Sequence, residues 1–167
     1  MNRQVIGILH PGSMGAAVAA CAAGNAAAVL WASARRSRET LARAERFGLE
    51  RVPTVRELLD RSDIVISLCP PAAAEDVAGD VAEADFAGLY VEANAISPER
   101  SLRIAELLGT AAIVVDGAVI GSPPVGGKTP MSIPSNCGDL LSGQLQGGVG
   151  PVVVLVVDRT LISTHAV

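Results

Sequence analysis

Aromatic residues are nearly missing from this chain, at 2% of its 167 positions. Any core must therefore be built from Ala, Val, Ile and Leu. Imidazole is scarce too: His10 and His165 are the only two histidines. The three cysteines, Cys21, Cys69 and Cys137, form an odd set without paired spacing, which argues against a disulfide scaffold or a zinc site. No metal site is expected. Lys128 is the only lysine among 13 cationic residues. With a formal charge of -4, the chain offers nothing broad to nucleic acid or an anionic membrane. The apolar run from Val152 to Val157 is far too short to span a bilayer. His10 and Pro11 interrupt the N-terminal apolar run, so no secretory leader is expected. A cytoplasmic, reducing setting fits these shortages.

What is present is 50% apolar residues in a repeating texture. Short runs rich in branched residues alternate with segments of about ten residues that suit helices. The strand candidates are VIGIL (5–9), AAAVLW (26–31), DIVISLC (63–69), GLYVEA (88–93) and AIVVDGAVI (112–120), the last read as a fifth strand. Between them lie helix candidates over 14–23, 37–47, 72–84 and 98–108. Thr54 and Glu57 fit a capping box that opens a shorter helix. Gly48 suits a helix C-terminus, and Ser97 with Pro98 suits an N-terminus. The pattern predicts an α/β fold of the Rossmann type, doubly wound around a mostly parallel sheet. It covers residues 1–125. After Pro124 the texture changes, with seven glycines between Gly126 and Gly150. Residues 126–167 read as an atypical glycine-rich tail with room for one edge strand.

The first strand runs into His10-Pro11-Gly12-Ser13-Met14-Gly15. Gly12 can let backbone approach a pyrophosphate, and Gly15 can let helix pack close to strand. The helix that starts near Ser13 would aim its free amides at phosphate. A histidine stands where the tight-turn glycine of G-x-G-x-x-G belongs, so this turn must differ in detail. A plain strand–helix turn is the bland alternative. His10 suits a role in shaping the turn or contacting phosphate better than one in catalysis. Near residue 33, an NAD site would carry an acid for the ribose hydroxyls. The chain reads Ser33-Ala34-Arg35-Arg36-Ser37 instead. Guanidinium forks and hydroxyls there suit a 2′-phosphate, which favours NADP over the alternative, NAD. A solvated basic face is the competing reading.

Taken together, these segments resemble the N-terminal domain of the β-hydroxyacid dehydrogenases, the superfamily of 6-phosphogluconate and 3-hydroxyisobutyrate dehydrogenases. The resemblance covers roughly residues 4–125. It implies that His10, Pro11, Gly12, Ser13 and Met14, then Ser33, Arg35, Arg36 and Ser37, bind the cofactor. It adds Leu68, Cys69 and Pro70 from DIVISLCPP, and Asn94 from EANAISPE on the nicotinamide side. From VVDGAVIGSPP it implies that Gly121, Ser122 and Pro123 face a small-molecule substrate, although Pro123 replaces a family glycine. The family's acid–base lysine sits in a G-x-x-G-x-G-x-x-x-K-x-x-N segment, followed by a helical C-terminal domain. Neither is found in this sequence, and no residue can be assigned the catalytic role. The expected activity is NADP-dependent hydride transfer to or from a hydroxyacid. The alternatives are a non-catalytic dinucleotide-binding module and a truncated dehydrogenase fragment. Assembly into a homo-oligomer is open.

Overall fold

The computed structural model describes residues 3–117 and residue 119. Six strands form one sheet in the order β3-β2-β1-β4-β5-β6, and every adjacent pair is parallel. They are β1 (Val5–Ile8), β2 (Ala28–Ala32), β3 (Glu50–Val52), β4 (Ile64–Ser67), β5 (Leu89–Glu92) and β6 (Ile113–Asp116). The helices are α1 (Ser13–Ala23), α2 (Arg38–Arg46), α3 (Val55–Arg61), α4 (Ala74–Glu83) and α5 (Pro98–Leu108). The fold is thus the expected Rossmann-like α/β sheet.

Parallel strands need both faces covered, and the alternation of side chains supplies both. One core gathers Ile6, Ile8, Val29, Trp31, Ile64 and Ile66 beneath α1 and α2. The other gathers Leu30, Val52, Val65 and Tyr90 beneath Leu58 of α3, Ala78 and Val81 of α4, and Ile104 of α5. With so few aromatics, close approach replaces bulk. Helix α1 buries Gly15, Ala16, Ala17, Val18, Ala19 and Ala22 against the sheet.

The local signals act as their chemistry requires. Ser37 caps α2 by accepting from the Thr40 amide, and Thr54 caps α3 by accepting from the Glu57 amide. Helix α2 ends in a Schellman arrangement: Gly48 has φ +66°, its N–H reaches Glu45 O, and Leu49 N–H reaches Ala44 O.

Three expectations change. The run 112–120 supplies the sixth strand, not the fifth, and its strand spans Ile113–Asp116. An additional strand, β3, lies between α2 and α3. It has only three residues, two of them exposed and charged, so no apolar run announced it. The helix expected over 72–84 opens as a 3₁₀ turn over Pro71–Ala73, because Pro71 sits in the first turn and supplies no amide.

Candidate functional site

Strand order reverses at β1, which has β2 on one side and β4 on the other. Loops leaving the carboxyl ends of those two strands diverge to opposite faces and leave a crevice. A cleft of about 350 Å³ opens there, lined by residues 10–15 and by Arg36, Thr40, Leu68, Cys69 and Pro70.

The turn from β1 into α1 forms one wall. Gly12 N–H donates to His10 O at 2.8 Å, which closes the turn without the first glycine. Pro11 is buried, and Gly12 is the helix N-cap with no side chain to cap it. The amides of the first turn of α1 therefore lack intrahelical acceptors, and that turn carries no acidic residue. An anion would complete this end of the helix. The two glycines differ in what limits them. A Cβ on Gly15 would collide with the His10 carbonyl oxygen. A Cβ on Gly12 would meet nothing within 4 Å. Protein packing explains Gly15. Gly12 keeps open a space that the protein itself leaves unfilled, which fits a pyrophosphate lying against the backbone.

Two arginines of the α2 segment brace this turn, and one of them, Arg36, also lines the cleft. Arg36 donates from Nη2 to Leu9 O at 2.9 Å, and Arg43 from Nη1 to Pro11 O at 3.5 Å. Arg43 is held in turn by Glu39 at 2.6 Å. Beside Arg36, burial lowers the His10 pKa from 6.5 to about 4; the Arg36 charge adds to the shift and Asp80 opposes it. His10 is neutral at physiological pH, and its buried Nδ1 has no hydrogen-bond partner in the described structure.

A second cleft, of about 600 Å³, lies beyond β2 and is lined by Ser33, Ala34, Arg51 and Pro53. Ser33 Oγ donates to Val52 O at 3.2 Å, and Ser37 Oγ is engaged with Thr40. Arg35 is exposed and holds φ +58°, a left-handed conformation that side chains of its kind rarely adopt. Sequence reading had no access to Arg51, because its strand was not legible.

On the far wall, Leu68 is partly buried against the α1 face of the sheet, as is Met14. Cys69 is half-buried; burial, more than any other influence, pushes its thiol up and keeps it protonated. The Cys69 amide donates to Asn94 Oδ1 at 2.7 Å. Asn94 is buried at the end of β5 and spends its side-chain amide on Ser67 Oγ, at 3.3 Å, and on Glu92. Asn94 is not among the residues that line the cleft; it bonds the amide of Cys69, which does line it. Glu92 is fully buried, and burial pushes its carboxyl up to about 7. The substrate-side candidates Gly121, Ser122 and Pro123 lie outside the described residues, as does Lys128. Among the described residues no group of side chains could hold a metal ion, and no helix is long and apolar enough to cross a membrane.

The model for the NAD-binding domain of D-isomer specific 2-hydroxyacid dehydrogenases matches residues 1–89. No curated protein matches the chain in sequence. Among solved structures, a conserved protein of unknown function, described as similar to 3-hydroxyacid dehydrogenases, is 25% identical over 71% of this chain and 44% of its own, with a TM-score of 0.64. The 3-hydroxyisobutyrate dehydrogenase of Mycobacterium tuberculosis aligns at 22% identity over 72% of this chain and 42% of its own, with a TM-score of 0.64. An imine reductase from a Pseudomonas species aligns at 19% over 73% and 43%, with a TM-score of 0.59. The chain thus spans less than half the length of these proteins.

Proposed function

The chain belongs to the family of NAD-binding domains of D-isomer specific 2-hydroxyacid dehydrogenases, and from that premise we propose that it forms the NADP-binding part of a hydroxyacid oxidoreductase. The observation that carries the reading is the open space at Gly12, facing uncapped amides of α1 at the point where strand order reverses. Ser13 and Met14 would hold the pyrophosphate through backbone N–H groups, in the open space left at Gly12. Met14 packs its side chain against the sheet and leaves its amide to the turn. His10 would serve the same end as a neutral group that shapes the turn or donates to phosphate.

Selectivity for NADP rests on the ground beyond β2. Among the described residues, no acid lines that cleft for ribose hydroxyls. Ser33 and Arg51 line the cleft, and exposed Arg35 holds a costly backbone conformation beside them. Two guanidinium groups suit a phosphate dianion. Arg36 carries the turn through Leu9 and so would support either dinucleotide.

When bound, the nicotinamide supplies the hydride acceptor or donor for a hydroxyl-bearing carbon. This chain's own residues would orient it: Leu68, Cys69 and Pro70 as a wall, Asn94 behind that wall, and Gly121, Ser122 and Pro123 toward a small hydroxyacid. The general acid–base is unassigned. A non-catalytic dinucleotide-binding module is the second reading. Homo-oligomerisation and a cytoplasmic setting accompany the proposal.

NADPH and NADH titrations followed by cofactor fluorescence test it. Arg51→Ala and Arg35→Ala should each weaken NADPH about tenfold and leave NADH nearly unchanged, the loss expected for a charge-assisted contact. Arg36→Ala should weaken both. Equal losses for both cofactors in Arg51→Ala would overturn the 2′-phosphate assignment. Cofactor binding without turnover of any 3-hydroxyacid or imine would favour the second reading.

A further inference from the structure

Behind the cleft wall lies a buried polar cluster that neither the phosphate turn nor the 2′-phosphate ground uses. It contains Ser67 at the end of β4, Tyr90 and Glu92 on β5, and Asn94 just beyond. We propose that Glu92 is a positioning residue, which orients Asn94 and, through it, the Cys69 amide that sets the cleft wall against the dinucleotide. This rests on the dinucleotide reading above.

The argument is one of donors and acceptors. An Asn side chain has two ends of nearly equal shape and opposite polarity. An ionised carboxylate only accepts, so whichever end of Asn94 faces Glu92 must be the NH₂ end. Glu92 Oε1 accepts from the Asn94 backbone N–H at 3.0 Å and from its Nδ2. The carbonyl end is thereby turned to Cys69 N–H, at 2.7 Å. A flipped Asn94 would set two donors face to face at Cys69. Cys69 and its neighbours Leu68 and Pro70 line the cleft. The chain of contacts thus runs from a fully buried carboxylate to the cleft surface in two hydrogen bonds.

Among the described residues, Glu92 has few neighbours able to hold its charge. Tyr90 Oη lies at 3.5 Å on its own strand, and Asp116 stands opposite it in register on β6. Burial raises its pKa most, Asp116 adds to the rise, and the bonds from Asn94 and Tyr90 oppose it. Among the described residues, Cys69, beyond β4, is the other titratable group that faces it. With the carboxyl pushed up to about 7, Glu92 changes charge near neutrality. Once protonated, it carries a donor of its own and no longer excludes the flipped Asn94, which the Cys69 amide alone then disfavours.

The Cys69 amide reports on this directly, without cofactor. In ¹H–¹⁵N spectra of the whole chain between about pH 5.5 and 8.5, its resonance should move with a midpoint near 7. In Glu92→Gln that transition should vanish. A Cys69 amide that stays still through this range in the unmutated protein overturns the proposal, whether or not the variant folds. NADPH titrations at about pH 6 and 8 then connect the relay to the site. The unmutated protein should bind about threefold to tenfold more tightly at the higher pH, the loss of one hydrogen bond's worth of order. Glu92→Gln should show a smaller difference. The 2′-phosphate loses its own proton near pH 6 in both proteins, so the difference between them is the readout. Identical pH dependence in the two proteins would overturn the link to the cleft wall. No NADPH binding at either pH, with Cys69 still titrating, would overturn the dinucleotide reading instead and leave the relay standing.

Discussion

His10 replaces a glycine and pays for it in proton affinity. Its ring is desolvated against Arg36, so its pKa falls from 6.5 to about 4. The sign follows from linkage: a group with a depressed pKa contributes stability above its unfolded value and loses it as pH falls through its folded value. The native protein should therefore weaken as pH falls from about 6.5 to 4. Discounted for solvent screening, the effect is roughly 1–2 kcal/mol. His10→Gln removes this titration. Its melting temperature, compared with that of the unmutated protein between pH 7 and 4.5, should fall less steeply. Parallel curves would mean that His10 does not titrate against Arg36. At the same scale lies the least legible part of the site. Glu92 reads in the sequence as the polar end of an apolar run. Only strand register reveals that it lies opposite Asp116 and beneath Asn94.

Elements differ in how openly the sequence announces them. Continuous apolar runs mark β1, β2, β4, β5 and β6, because a strand buried on both faces has no polar alternation to keep. Glycine, serine, threonine and proline mark the helix ends. Strand β3 escaped because Glu50 and Arg51 are exposed and only Val52 is buried; three residues cannot establish a period. Arg51 escaped with it. The turn between β1 and α1 was legible as a candidate phosphate site, but its brace was not. The bonds from Arg36 to Leu9 O and from Arg43 to Pro11 O join residues 27 and 32 positions apart. The two glycines of this turn give an element-scale prediction. Gly15→Ala drives a methyl into the His10 carbonyl, and should cost about 1–3 kcal/mol despite alanine's better helix propensity. Gly12→Ala meets no protein atom and should cost at most about 1 kcal/mol through the lost cap preference. Its cofactor affinity should nonetheless drop tenfold or more. Denaturant unfolding and NADPH titration of both variants separate the two roles. Equal stability loss with unchanged binding in Gly12→Ala would remove the pyrophosphate from that space.

At the scale of the molecule, both clefts lie at the carboxyl end of one sheet, on either side of β2. The strands β1, β2 and β3 bring residues near positions 10, 33 and 51 to one rim, and β4 and β5 bring those near 69 and 94 to its continuation. The 2′-phosphate and the nicotinamide half of a dinucleotide would lie on opposite sides of the point where strand order reverses, with the pyrophosphate at that point.

The short strand β3 has a second consequence. It ends the described sheet, so its outer backbone groups have no strand beside them among the described residues. Its brevity and its exposed Glu50 and Arg51 discourage another chain from adding on. Arg51 would thus guard against self-association as well as being a candidate phosphate ligand. Engineers who convert cofactor preference by replacing it with an apolar residue would lose both. Arg51→Val should show concentration-dependent light scattering on warming, where Arg51→Glu should not. Equal scattering from the two variants would show that charge at this edge does not protect the protein. Changing which dinucleotide is used and keeping the chain in solution are, at this position, a single design problem.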